Sequence, residues 1–157
     1  MPETAAPPAT VPWPPILVAG LVAAAVALSY AFPLAWPGES DLLGHIAGLG
    51  LGATGLALFV WAALTLHRHG TTILPDKAAD ALVTDGPFRF RRNPIYISHV
   101  FMLFGIAELT HNIWFVILAI LYIPLVTWLA VLPEERHLEA RFGDAYRDYA
   151  SRTRRWI

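Results

Sequence analysis

The sequence predicts an all-α, polytopic membrane protein with four transmembrane helices and a C-terminal amphipathic helix on the cytosolic side. Three observations predict it. Hydrophobic side chains make up 56% of the 157 residues, and the mean hydropathy is +0.51, too apolar for an ordinary soluble domain. Four apolar runs approach or exceed the length that crosses a bilayer. All eleven Lys and Arg fall in residues 68–92 and 136–155, so four crossings put both basic regions on one face. The positive-inside rule makes that face cytoplasmic, together with both termini.

Residues 1–15 are rich in Pro and Ala and carry no Lys or Arg, so they lack the basic start of a secretory signal and read as a flexible tail. Residues 16–36 are the first span, with Pro33 near its exit, and residues 42–66 the second. The short turn Pro37-Gly38-Glu39-Ser40-Asp41 between them predicts an antiparallel hairpin over residues 16–66. Gly50-Leu51-Gly52-Ala53-Thr54-Gly55 spells G-x-G-x-x-G, but inside an apolar span rather than between a strand and a helix, so it is not read as a nucleotide loop. Gly44, Gly48 and Gly52 recur every fourth position, a pattern that lets helices approach closely and permits a homodimer through this face. His45, near the far end, is expected at the interface or bonded to a neighbouring helix.

The polar connector that follows, with Thr71, Thr72, Pro75, Asp76, Lys77 and the turn Thr84-Asp85-Gly86-Pro87, is long enough to cover a ligand. His67 and His69 stand without further metal ligands and read as solvated, so no metal site is expected. The absence of cysteine removes disulfides, thiol nucleophiles and cysteine-ligated metals. Residues 95–110 form a short third span, with Glu108 and His111 bracketing the turn at its far end. Residues 113–132 form the fourth, where Pro124 should kink the helix or free a carbonyl. Beyond it, Leu138, Phe142, Ala145 and Tyr149 share one side of a helix, with Arg141, Asp144, Arg147 and Asp148 mostly opposite. A net charge of −1 argues against nucleic acid as a partner.

Two stretches carry chemistry. In Gly86-Pro87-Phe88-Arg89-Phe90-Arg91-Arg92-Asn93-Pro94-Ile95-Tyr96, a loop becomes a membrane helix. Pro94 suits a first helical position and disfavours helix at Asn93, so free backbone N–H groups, guanidinium groups and rings meet there, a place for a polar ligand. Topology alone could explain the arginines and aromatics. It does not explain Glu134 and Glu135, two carboxylates at a membrane boundary, where such groups are costly unless paired or used.

Arg92-Asn93-Pro94-Ile95-Tyr96, followed at a distance by Glu134-Glu135-x-x-Leu138-x-x-x-Phe142-Gly143-x-x-Tyr146-x-x-Tyr149, resembles the integral-membrane methyltransferases of the isoprenylcysteine carboxyl methyltransferase and phospholipid methyltransferase group. The resemblance covers residues 71–156. It implies S-adenosylmethionine as cofactor and a region, residues 67–157, that binds it. By resemblance, Asn93, Pro94, Ile95 and Tyr96 match the cofactor-binding segment, Phe88 an aromatic contact, Leu82 and Val83 the pocket wall, and Glu134 the acidic ligand. Glu135 and Arg92 are adjacent candidates, and no residue is singled out as catalytic.

Departures bear on the acceptor. Asn93 replaces a histidine frequent in relatives, which excludes proton transfer through that position. Ser98 stands where glycine is frequent, and Ala130 where isoprenylcysteine enzymes carry an arginine that contacts the substrate carboxylate. The resemblance implies methyl transfer to a small lipophilic acceptor or lipid reached from the bilayer, in the manner of the isoprenylcysteine enzymes. The alternatives are phospholipid N-methylation, NADPH-dependent membrane enone or steroid reduction, and a non-catalytic membrane scaffold. The apolar spans are compatible with a carboxylate, amine, phenol or thiol acceptor. Methyl transfer from a sulfonium needs mainly positioning and desolvation, which suits a site with few acid–base groups.

Overall fold

The computed structural model describes residues 11–37, 42–71 and 81–157. Most of the tail, the 38–41 turn and most of the connector's polar stretch, residues 72–80, lie outside them. The described residues are helical, with no strand beyond an isolated bridge between Arg91 and Arg154. The helices are α1 (Trp13–Ala31), α2 (Leu42–Arg68), α3 (Pro94–Thr110), α4 (Ile113–Val126), α5 (Leu132–Phe142) and α6 (Asp144–Arg152), with a 3₁₀ turn at Gly86–Arg89 and a π turn at Thr127–Val131.

Three helical stretches are long and apolar enough to cross a membrane: α1, α2, and the unbroken run Ile113–Phe142 that joins α4, the π turn and α5. In the first two, only 17% of the apolar window is buried inside the protein. Helices so apolar on their outer faces require a hydrocarbon solvent. The third predicted span, α3, has 17 residues, about 26 Å at 1.5 Å per residue, and falls short of a full crossing by length alone.

α1 begins at Trp13, three residues before the expected start, because Pro14 and Pro15 fit a first turn whose N–H groups have no intrahelical partner. It packs on α4 rather than pairing along its length with α2 as a hairpin. α2 packs antiparallel on α3 instead, and the glycines explain why. A Cβ on Gly52 would stand 2.9 Å from Gly105 Cα, and one on Gly55 2.8 Å from Ser98 O. These glycines are therefore covered by α3, which corrects their expected use in a homodimer.

The run from α4 into α5 continues past Leu132, where the sequence suggested the span would end. Pro133 in a continuous helix lacks an N–H and would clash with the carbonyl four residues back, at Leu129. The π turn surrounds that carbonyl, and Leu132 N bonds to Thr127 O five residues earlier, which gives the ring room. The predicted C-terminal helix is divided at Gly143, whose φ of +54° and ψ of −123° suit glycine alone. The break changes the register: Tyr146 and Tyr149 are buried, and Ala145 is exposed.

Candidate functional site

The 3₁₀ turn, the start of α3, α5 and α6 meet at one end of the bundle. Gly86, with φ of +55°, lies so close to α2 that a Cβ would reach Thr65 Oγ1 at 2.6 Å. This contact seats the turn and aims Phe88 inward. Tyr149 Oη donates to Phe88 O at 2.7 Å and holds α6 against the turn. Burial pushes the Tyr149 phenol up to about 12. Burial, and secondarily Glu135, raises that of Tyr146.

The last residues fold back across the start of α3. Arg92 N donates to Arg154 O at 3.0 Å, its Nη1 donates to Ala150 O and Thr153 O at 2.7 and 2.6 Å, and Asn93 Nδ2 donates to Arg155 O at 3.1 Å. Asn93 therefore fastens the C-terminal segment and leaves α3 without a side-chain cap. The first intrahelical bond is Ile97 N to Asn93 O, so the amides of Ile95 and Tyr96 lie ahead of the helical ladder, as helix geometry requires.

The two carboxylates have different partners. Glu135 receives Arg92 Nε at 3.2 Å and both Nε and Nη2 of Arg155 at 3.0 and 2.6 Å. Two guanidinium groups on one carboxylate make a clamp across α3, α5 and the C-terminus. Glu134 accepts from Tyr96 Oη at 2.9 Å. Residues 38 positions apart are thus joined in the wall of one cavity.

That cavity has a volume of about 440 Å³, within the range of roughly 300–1,000 Å³ for small-molecule sites. Leu82, Val83, Phe88, Arg92, Asn93, Pro94, Ile95, Tyr96, Glu134 and Glu135, all singled out from the sequence, line it together. Pro14, Pro15, Val18 and Ala19 of α1, Phe59 and Leu66 of α2, His99, Leu138, Tyr146 and Tyr149 complete much of the wall. The lining combines ionisable and hydrogen-bonding side chains with a larger set of apolar ones. Thr71 Oγ1, also in the lining, is buried with no hydrogen-bond partner among the described residues.

Sequence reasoning missed His99, Arg155 and the contribution of α1. His99 lies one turn beyond Tyr96 on the same helix face, a spacing that could have flagged it. Its Nδ1 pairs with Tyr122 Oη at 2.8 Å, and its ring stands 5.8 Å from that of Phe59. Arg155 gives no local signal, since its partner is 20 positions away. Ala130, the position at which the resemblance to isoprenylcysteine enzymes leads one to expect an arginine, is 1% exposed and packed within the core beside Tyr122 and Val126. His67 and His69 are exposed, and His69 Nε2 pairs with Asp85 at 2.9 Å.

No curated protein and no solved structure matches the chain significantly. A family model described as phospholipid methyltransferase matches residues 43–145. That stretch contains all but the first residue of α2, together with α3, the acidic pair and the Phe142-Gly143 break, so the chain belongs to the phospholipid methyltransferase family of membrane methyltransferases.

Proposed function

We propose that the protein is an integral-membrane methyltransferase that uses S-adenosylmethionine and methylates a lipophilic acceptor entering from the bilayer. The observation that carries this is the single cavity in which Tyr96 and Glu134 meet. The family normally uses this cofactor. The donor set fits it: Glu134 suits the cofactor's amino group or ribose hydroxyls, the amides at the start of α3 its carboxylate, and Phe88 with the Leu82–Val83 wall its adenine. Thr71 Oγ1, buried without a partner among the described residues, is a further polar atom suited to such a ligand. When bound, S-adenosylmethionine supplies an electrophilic methyl group on a sulfonium.

The chain's own residues orient and desolvate the reactants. The apolar lining residues, among them Val18, Ala19, Phe59 and Ile95, suit a hydrocarbon tail. We assign α3 as a fourth crossing, flanked by α2 and α4 and with neighbouring helices compensating for its length, which places the cavity and both termini at the cytoplasmic face. Arg92 is the only Lys or Arg among the described lining residues, and it is engaged by Glu135, Ala150 O and Thr153 O. With Ala130 in the core, the described lining residues offer no free cation for a substrate carboxylate, which favours an amine-bearing lipid over carboxyl methylation. His99, its Nδ1 engaged by Tyr122, is the imidazole placed to take a proton from such an acceptor.

The test is transfer of labelled methyl from S-adenosylmethionine to a lipid extract by the purified protein, with phosphatidylethanolamine as a defined acceptor. Labelled lipid is expected from the wild type. His99→Phe is expected to lower kcat about a hundredfold while leaving cofactor affinity within about twofold. Saturable NADPH affinity with no S-adenosylmethionine affinity would overturn the reading in favour of a reductase, and no affinity for either would favour a scaffold.

A further inference from the structure

At the end of the bundle remote from the cavity, His45 of α2, Glu108 of α3 and His111 of the following turn converge. One ligand atom from each lies within 4.8 Å of the others. His45 Nδ1 is 2.9 Å from Glu108 Oε1, and the two imidazole centroids are 5.7 Å apart. None of the three lines the cofactor cavity. We propose that they bind a divalent transition-metal ion of the zinc class, independently of methyl transfer.

The donor chemistry is that of zinc sites with an open position: two imidazoles and one carboxylate. With metal–ligand bonds of about 2.0–2.1 Å, tetrahedral ligand atoms stand roughly 3.4 Å apart, so the cluster needs to contract by no more than about 1.4 Å. His111 is exposed and leaves a remaining position open to water.

Charge gives a second, independent argument. The Glu108 side chain is only 13% exposed, and a carboxylate so enclosed requires a counter-charge. No Lys or Arg occurs anywhere in residues 1–67 or 93–135, so no guanidinium or ammonium from this part of the chain serves Glu108. Two imidazoles stand beside the carboxylate, and the three together are ligands for a cation that would supply that charge.

Local construction agrees. Gly48 makes room for the carboxylate, since a Cβ there would lie 2.5 Å from Glu108 Cγ. His111 caps α3 in the left-handed region, at φ of +47°, with the Trp36 ring 5.8 Å from its own. The ion would tie α2, α3 and the turn into α4 together at that end.

The test uses the full-length, tag-free chain in detergent micelles, stripped with a chelator. Zn²⁺ is titrated while Tm is followed, and Co²⁺ is titrated while its visible absorption is read. One saturable equivalent, a rise in Tm and the visible bands of nitrogen- and oxygen-ligated Co²⁺ are expected. His111→Ala lies on an exposed turn and should fold, and it is expected to weaken binding at least tenfold. His69→Ala, at the other end, should leave binding unchanged, as should saturation with S-adenosylhomocysteine. A wild type with no saturable metal binding, a Tm that responds to pH but not to metal, or binding of equal strength in His111→Ala would each overturn the proposal. None of these results would touch the cofactor reading.

Discussion

Glu134 and Glu135 are neighbours in sequence with different work, and the distinction rests on their partners. Glu135 joins Arg92 and Arg155, whose side chains are 14% and 37% exposed. Removing its charge leaves two guanidinium groups uncompensated. Glu135→Gln is therefore expected to cost roughly 2–3 kcal/mol in denaturant unfolding, below the value for a fully buried pair because Arg155 is partly solvated. Glu134→Gln should unfold like the wild type but bind S-adenosylmethionine about 10- to 150-fold more weakly in equilibrium titration, the effect of one lost charge-assisted hydrogen bond. Tyr149 gives a pH signature. Its phenol holds its proton more tightly folded, with a pKa of about 12, than unfolded, at 10.0. Stability from this group is thus complete below pH 10 and is lost as pH rises through about 12. Tyr149→Phe is expected to flatten that alkaline loss and to cost about 1 kcal/mol at neutral pH through the bond to Phe88 O, both read from thermal unfolding across pH.

At the scale of elements, the contact between α2 and α3 holds the turn that carries Phe88 in register with the start of α3. Gly105→Ala would place a Cβ 2.5 Å from Gly52 Cα, backbone against backbone, and is expected to destabilise by about 1–3 kcal/mol. Gly20→Ala in α1 meets nothing within 4 Å and should be neutral or stabilising by up to about 1 kcal/mol, so unfolding of the two variants side by side isolates the packing effect. The spacing of Gly48 and Gly52 announced a close helix contact, but spacing does not name the partner, and α3 rather than a second copy takes it. Apolar runs long enough to cross were legible because burial in lipid demands unbroken apolarity. The division at Gly143 was less so: the glycine was visible, but a helical pattern drawn through it put Ala145 on the buried side. The π turn was hidden because Pro133 reads equally well as a helix start and as an interior proline that the backbone accommodates.

At the scale of the whole molecule, the cavity exists because chain ends distant in sequence return to one end of the bundle. Ten of its lining residues were singled out from two short motifs and the family resemblance these carry, the acidic pair also because carboxylates at a membrane boundary are costly unless paired or used. Arg155, His99 and the wall from α1 were not, since they arrive by tertiary packing that no local pattern encodes. The central claim is that Tyr96 and Glu134 close around a single sulfonium nucleoside. The most direct measurement is an experimental structure of the protein with S-adenosylhomocysteine bound. The account predicts ligand density in contact with Tyr96, Glu134 and Phe88 together; density lodged elsewhere, or a folded protein with no affinity for this ligand, would contradict it.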